Sequence, residues 1–251
     1  MRSSSLIGRV DFHVHRRPDA GMTTRAAMEA FQSRGYLRIG FADHFDPASM
    51  AERARQTREE IAEAEPNLMV HVGAEASVYL GWPRDALEEM RSTVLDFCLL
   101  APSHYPRSRD VPEFAKQPLE SQASWILESF KESVGFDFAD AVAHPFAYGQ
   151  IPRLDEVLSF IEDRDLRLAL RQAKRNAIAM DLSPRICAID HAFLTRFLSI
   201  CREVGVKFSI GSDAHTLDNV GNDRLVLPIL RRHGITDADL WLPDVRHETS
   251  K

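Results

Sequence analysis

Seven short apolar runs, separated by longer amphipathic stretches, constrain the fold of this chain more than any other feature. The intervening stretches carry helix signals: Thr23 or Thr24 can cap a helix closed by Gly35, and Pro47 can open one that stops by Pro66. Alternation of this kind is typical of βα units around a parallel sheet or barrel, so an α/β fold is predicted. The candidate strands are residues 6–12, 37–42, 68–74, 96–102, 138–143, 177–182 and 206–211.

Histidine, aspartate or glutamate follows six of these seven runs. Because the carboxyl ends of parallel strands meet on one face, the side chains that follow the runs should converge there. Six of the ten histidines lie at these ends, whereas chance would scatter them. The converging residues are His13, His15, His44, Glu75, His104, His144, Asp213 and His215.

Such a ring of imidazoles and carboxylates indicates a metal centre. As core packing it would leave polar atoms unpaired, whereas cations would satisfy them. Mixed nitrogen and oxygen ligands suit zinc, manganese or iron rather than calcium. Eight ligands exceed what one tetrahedral zinc uses, so we expect two or three divalent ions. Ions of this kind lower the pKa of a bound water towards about 7, which supplies a nucleophile at neutral pH.

Length, charge and hydropathy narrow the class of protein. A chain of 251 residues is typical of one α/β barrel domain, here residues 1–251. The net charge of −6 disfavours a long nucleic acid as partner and favours a small substrate. No apolar run approaches the roughly 20 residues that span a bilayer, so no membrane partner is expected. Three scattered cysteines without CxxC spacing favour reduced thiols, and a cytoplasmic enzyme is predicted.

The ordered motifs His-x-His, Asp-His, Gly-x-Glu, Ser-His, His-Pro and Ser-Asp-Ala-His, over positions 13 to 215, resemble the PHP (polymerase and histidinol phosphatase) family. The likeness is greatest to its stand-alone, histidinol-phosphatase-like members. The resemblance implies a distorted (β/α)7 barrel with the active site at the carboxyl ends of the strands. It also implies a trinuclear metal centre that hydrolyses phosphoesters.

The same resemblance implies a ligand set for each ion, with Glu75 shared by two of them and Glu75, Asp213 and His215 acting as catalytic residues. The first ion takes His13, His15, Glu75 and Asp213. The second takes Glu75, His104 and His144. The third takes His44, His215 and a residue shortly after His-x-His, for which Asp19 is the candidate, one position closer to His15 than the usual pattern.

Loop residues on the same rim are candidates for substrate contacts. Arg153 and Arg185 could bind phosphate, since the planar guanidinium matches phosphate oxygens, although a plain surface role is an equal alternative for each. Arg185 resembles the family's phosphate-contacting arginine. Aromatic residues that follow the ligands could line a pocket or simply pack in the core, and these are Tyr79, Trp82, Tyr105, Phe146 and Tyr148.

Three further polar residues have structural interpretations. Asp43 adjoins His44 and should face the other way, where it would support the ligands rather than bind metal. Asp11 shares the face of His13 and could support or replace a ligand. His71 lies below the mouth and is interpreted as a satisfied residue of the barrel interior.

The predicted reaction is hydrolysis of a small phosphate monoester, with L-histidinol phosphate the best guess by resemblance alone. Nucleotides and other small phosphoesters stay open. An amidohydrolase-like barrel would need a lysine after the fourth strand, and residues 98–105 contain none. A proofreading module associated with nucleic acid, or a metal-bound structural domain, is the alternative outside small-molecule catalysis.

Overall fold

The strands form a parallel sheet and follow one another across it in the order of the sequence. The computed structural model describes residues 5–104 and 111–244. Within these residues each of seven strands pairs in parallel with the next, which confirms the predicted α/β barrel. The strands are Val10–Val14 (β1), Arg38–His44 (β2), Met69–Ser77 (β3), Phe97–Ala101 (β4), Ala141–Val142 (β5), Ala179–Leu182 (β6) and Phe208–Ile210 (β7).

The sheet nearly closes where β7 returns to β1. Val14 and Ala214 form a parallel bridge, and the N–H of His15 donates to the Ala214 carbonyl at 2.8 Å. Deeper in this seam the Asp11 carboxylate accepts from the N–H of His13 at 3.1 Å and of Ser212 at 3.0 Å. A side chain thus takes the place of main-chain pairing and joins the two strands below the barrel mouth.

Helices connect the strands, as the alternating pattern predicts. The Thr23 side chain accepts from the N–H of Ala26 at 3.2 Å and caps the first helix as expected. The second helix begins at Met50 rather than at Pro47, because Asp46 accepts hydrogen bonds within the preceding turn. The helices are Thr24–Ser33 (α1), Met50–Ala64 (α2), Arg84–Thr93 (α3), Val111–Phe114 (α4), Leu119–Ser133 (α5), Leu154–Ser159 (α6), Asp163–Arg175 (α7), His191–Val204 (α8) and Leu227–Arg232 (α9).

Strand boundaries differ from the predicted ones at the residues of greatest interest. His13 lies inside β1, His44 ends β2, and Glu75 lies inside β3, although the apolar runs stop before all three. An apolar run ends at its first polar side chain. A strand continues as long as its main chain is paired, and here polar side chains remain buried in the barrel.

Aromatic side chains fill the barrel at the amino ends of the strands. A methyl group at Gly40 or Gly73 would lie 2.7 or 2.6 Å from the Phe97 ring, so only glycine leaves room for it. Trp241 packs edge-on against Phe97 and Phe12, with ring centroids 6.0 and 5.7 Å away. These side chains therefore close the amino end of the barrel, and polar groups gather at the opposite end.

No helix within the described ranges has both the length and the apolar character needed to cross a bilayer. All three cysteines are free; Cys98 and Cys201 are buried, whereas Cys187 is exposed.

Candidate metal centre

Three fully buried side chains form the deepest part of the centre, and we call them the floor group. They are His13 on β1, Glu75 on β3 and His144, which follows β5. Glu75 Oε1 lies 3.2 Å from His13 Nε2 and 3.1 Å from His144 Nε2, and all three side chains are 0% exposed. A carboxylate thus joins two imidazoles inside the barrel.

Three histidines nearer the solvent form the rim group. His44 ends β2, His104 follows β4 and His215 follows β7. Their side chains are 56%, 17% and 26% exposed. Glu75 reaches this group too, since its carboxylate oxygens lie 3.2 Å from His44 Nδ1 and 3.7 Å from His104 Nε2.

His15 and Asp213 connect the floor group to the rim group. His15 Nε2 lies 3.3 Å from Asp213 Oδ1 and 3.5 Å from Glu75 Oε2. The His15 ring stacks against the rings of His44 and His215, with centroids 4.5 and 4.2 Å away. All eight converging residues of the sequence pattern therefore lie together, and five histidines stand within 3.7 Å of Glu75.

Local backbone features bring these side chains together. The register between β1 and β2 shifts between Asp11 and Val14, next to His13. A methyl group at Gly211 would lie 2.2 Å from the Cβ of His13, so glycine is required for this close approach. His144 and Asp213 have φ of 28° and 53°, a left-handed conformation that L-residues rarely adopt and that often occurs at functional sites.

Polar groups behind the histidines orient the imidazole rings. The Nδ1 atoms of His13, His104 and His144 lie 2.9 Å from Asp181 Oδ2, 3.0 Å from Ser77 Oγ and 2.6 Å from Ser103 Oγ, respectively. Contacts at Nδ1 leave Nε2 directed at Glu75, which is the usual arrangement of metal-binding histidines. Asp181 was not predicted from the sequence, although a charged residue inside the apolar sixth run was a signal for it.

Burial and charge favour cations here. Burial lowers the pKa of His15 and of His104 to about 4, so both imidazoles are neutral at pH 7 and able to coordinate metal. Burial also opposes charge on His13, but Glu75 and Asp181 outweigh it and raise the pKa of His13.

The carboxylates stay ionised in the same surroundings. Although burial raises the pKa of Glu75, the neighbouring His104 and His13 hold it well below its usual range. Burial opposes ionisation of Asp213 too, yet the contact with His15 and the nearby His13 and His144 lower its pKa. The metal centre is therefore buried and negatively charged.

Several buried atoms of the centre have no hydrogen-bond partner among the described residues, and they test whether the site fits metal. Buried polar atoms are normally paired, and divalent cations would satisfy atoms of this kind. The unpaired atoms are His13 Nε2, both ring nitrogens of His15, Glu75 Oε2 and Asp213 Oδ1. The donor set therefore fits transition-metal ions.

Among the residues that the structure describes, four sets of three side chains have ligand atoms that lie within 4.8 Å of one another. Glu75 belongs to two of them, in keeping with a shared ligand. His104 stands with His44, and His144 with His13, whereas the family resemblance groups His104 with His144. The sets are His15, His44 and His215; His13, His15 and Asp213; His13, Glu75 and His144; and His44, Glu75 and His104.

Asp19 and the two arginines lie farther out. Asp19 is exposed and forms an ion pair with Arg17 at 2.7 Å, and it belongs to none of the four sets. Arg185 hydrogen-bonds to Asp213 Oδ2 through Nε and so contacts the centre directly. Arg153 pairs with Glu156 and is exposed, but it lines the same depression of about 550 Å³ as Arg185.

The three residues interpreted as structural are buried. Asp43 accepts from the Arg16 N–H at 2.7 Å and from its guanidinium at 2.6 Å, facing away from the centre as expected. Asp11 lies in the β1–β7 seam. His71 is buried in the barrel, but its Nε2 has no partner among the described residues, so the prediction of a satisfied side chain is wrong.

A cavity of about 430 Å³ opens beside the centre and includes two of the predicted pocket aromatics, Tyr79 and Trp82. Tyr148 lines the arginine depression instead. Phe146 packs in the core against Phe130 and other rings, and Tyr105 lies outside the described residues. The cavity lining is His44, Phe45, Asp46, Pro47, Glu75, Ala76, Ser77, Tyr79, Trp82, Pro83 and His104.

Known proteins with similar sequences are named as phosphatases. No protein-family model matches the chain. A probable phosphatase of Vibrio campbellii (strain ATCC BAA-1116) is 30% identical over 142 residues, which cover 51% of this chain and 54% of that protein. The chain spans about half the length of the curated relatives it matches.

Histidinol phosphatase structures share the fold. The histidinol phosphate phosphatase of Lactococcus lactis subsp. lactis Il1403, solved with zinc, L-histidinol and phosphate, superposes with a TM-score of 0.69 at 15% identity, covering 90% of this chain and 94% of that one. A Listeria monocytogenes protein assigned as a histidinol phosphatase gives 0.63 at 15% identity, covering 87% and 99%. At this identity the likeness concerns the fold.

Proposed function

We propose that this protein is a metal-dependent phosphatase that hydrolyses a small phosphate monoester. The observation that carries the proposal is the buried carboxylate of Glu75, which has five histidines within 3.7 Å at the mouth of the barrel. The probable phosphatases of similar sequence and the zinc-bound histidinol phosphate phosphatase of similar fold support the same reaction class.

The converging residues would hold two or three divalent ions of zinc, manganese or iron. When bound, such ions lower the pKa of water towards about 7 and neutralise charge on phosphoryl oxygens. We assign His13, His15, Glu75 and Asp213 to one ion. Glu75, His104 and His144 are assigned to a second. His44, His215 and Asp19 are assigned to a third, for which Asp19 would have to leave Arg17.

Glu75, Asp213 and His215 are the residues we assign to catalysis. Glu75 and Asp213 supply the negative charge of the metal centre. His215 Nδ1 lies 2.9 Å from the main-chain carbonyl of Asp213, which holds the ring at the rim and leaves Nε2 to bind the third ion. Through the ions that they would hold, these residues would position the scissile phosphate.

Arg185 and Arg153 would bind the phosphate. Arg185 contacts Asp213 through Nε, so its remaining N–H groups can donate to phosphate oxygens beside the centre. Arg153 lines the same depression, where it would add a weaker and more solvated positive charge.

The alcohol part of the substrate would occupy the cavity beside His44 and His104. Tyr79 and Trp82 offer ring surfaces, and Asp46 offers a carboxylate whose pKa the Ser49 hydroxyl lowers. An alcohol that carries a flat ring and a positive charge suits this lining, and L-histidinol phosphate is therefore our best single candidate. Nucleotides are the alternative class. We also predict a cytoplasmic enzyme that uses no long nucleic acid.

A phosphate-release screen tests the proposal. Purified protein is assayed with manganese, zinc or iron against L-histidinol phosphate, p-nitrophenyl phosphate and a panel of nucleoside monophosphates. We expect metal-dependent release with the highest kcat/KM on an amino-alcohol phosphate. Absence of release from every ester, in protein shown to contain metal, would contradict the proposed function.

A further inference from the structure

A fully buried aspartate lies directly beneath the metal centre. Asp181 on β6 is 0% exposed, and its Oδ2 accepts from His13 Nδ1 at 2.9 Å and from the main-chain N–H of His144 at 3.4 Å. It therefore contacts both histidines of the floor group. Among the described residues, His13 is the basic side chain within ion-pair distance of Asp181.

The second oxygen of Asp181 argues against a purely structural role. Oδ1 is buried and has no hydrogen-bond partner among the described residues. The buried carboxylate of Asp96 is better paired, since it accepts from the N–H of Val72 at 2.7 Å and from Arg58 at 2.8 Å. A buried carboxylate with an unpaired oxygen is costly to folding unless positive charge lies nearby.

We propose that Asp181 is a positioning residue that sets the cation affinity of the floor group. It holds the proton of His13 on Nδ1, directs Nε2 at Glu75, and places a negative charge behind the ring. A carboxylate behind a metal-binding imidazole makes the imidazole a stronger ligand and fixes its orientation. The inference rests on the proposed function only in requiring that the centre binds divalent cations.

The surroundings leave Asp181 little freedom. A methyl group at Gly211 would lie 3.1 Å from Asp181 Oδ1 and 2.2 Å from the His13 Cβ, so β1, β6 and β7 meet at this point. Because the carboxylate and the imidazole are confined together, we expect a change at position 181 to act first on the orientation of His13. The nearly isosteric Asp181→Asn removes the charge and preserves the volume.

The experiment measures metal affinity rather than hydrolysis. Metal-free wild type, Asp181→Asn, Asp96→Asn and Ser103→Ala are titrated with Zn²⁺ or Co²⁺ against a chromophoric chelator. Asp96→Asn is the control for loss of a buried carboxylate far from the centre. Ser103→Ala removes the neutral hydroxyl 2.6 Å from His144 Nδ1. We expect Asp181→Asn to weaken the tightest site by about 10- to 100-fold, Ser103→Ala by less, and Asp96→Asn not at all.

Thermal melting of the metal-free proteins separates positioning from stability. Asp181→Asn should be no less stable than Asp96→Asn while binding metal more weakly. An affinity within twofold of wild type would overturn the proposal, and so would a wild type that binds neither metal. Weakened binding in Asp181→Asn together with an inactive wild type would support the inference while contradicting the proposed phosphatase activity.

A second measurement applies if Asp181→Asn does not fold. Imidazole ¹⁵N NMR of the metal-loaded wild type, with His13 assigned from a His13→Gln spectrum, reports which ring nitrogen carries the proton. A protonated Nδ1 on His13 supports the proposal, and an unprotonated Nδ1 would overturn it.

Discussion

The floor and rim groups contain similar side chains in different surroundings. His13, Glu75 and His144 are fully buried, and Asp181 and Ser103 contact the histidines from behind. His44 of the rim group is more than half exposed, and His215 is held by a main-chain carbonyl. Buried and supported ligands lose less freedom on binding and act at lower effective dielectric constant. We therefore expect the first and second ions, which floor-group residues would hold, to bind more tightly than the third ion, which His44 and His215 would hold.

The largest effect should come from Glu75, which joins the two groups. Glu75→Ala removes the carboxylate shared by five histidines, so it should lower kcat/KM by about a thousandfold or more and abolish tight metal binding. Glu88→Ala on the exposed face of α3 is the matched control. Steady-state kinetics with metal analysis checks this, and retained turnover would remove the bridging role of Glu75.

Substitution of single histidines should distinguish the floor group from the rim group. His144→Ala should lose metal affinity by about 10- to 100-fold more than His44→Ala, because the His144 site is buried and oriented by Ser103. Chelator titration measures the affinities, and elemental analysis counts the ions. Equal losses in both variants would mean that burial does not distinguish the floor from the rim.

The arginines should affect substrate binding rather than metal content. Arg185→Ala should raise KM by about 10-fold or more because it removes charge-assisted bonds to phosphate next to Asp213. Arg153→Ala should raise KM only about two- to threefold, since solvent screens this exposed guanidinium and Glu156 pairs with it. An unchanged KM in Arg185→Ala would exclude that residue from phosphate binding.

Asp19 should show the smallest effect. If Asp19 completes the site of the third ion, Asp19→Ala weakens that ion by only a few-fold, because Arg17 competes for the carboxylate, and leaves the first two ions unchanged. Arg17→Ala, which frees Asp19, should strengthen the same ion. Identical metal binding in wild type and both variants would remove Asp19 from the ligand set.

Residue type and position along the chain carry enough information to predict the strands and the residues of the centre. All seven strands were predicted, because a βα barrel alternates buried runs with amphipathic helices along the chain. The meeting of the eight centre residues was predicted for a similar reason, since the carboxyl ends of parallel strands share one face. The boundaries at His13 and Glu75 were missed because polarity, rather than main-chain pairing, defined the runs.

The sequence by itself determined the barrel and the identity of the side chains at its mouth, because both follow from the order of apolar runs and the residues that end them. Only the tertiary structure decided which histidines are buried, that Asp181 supports His13, and that Asp19 pairs with Arg17. Burial, ring orientation and ion pairing depend on atoms brought together from strands far apart in the chain, and no local pattern encodes those distances.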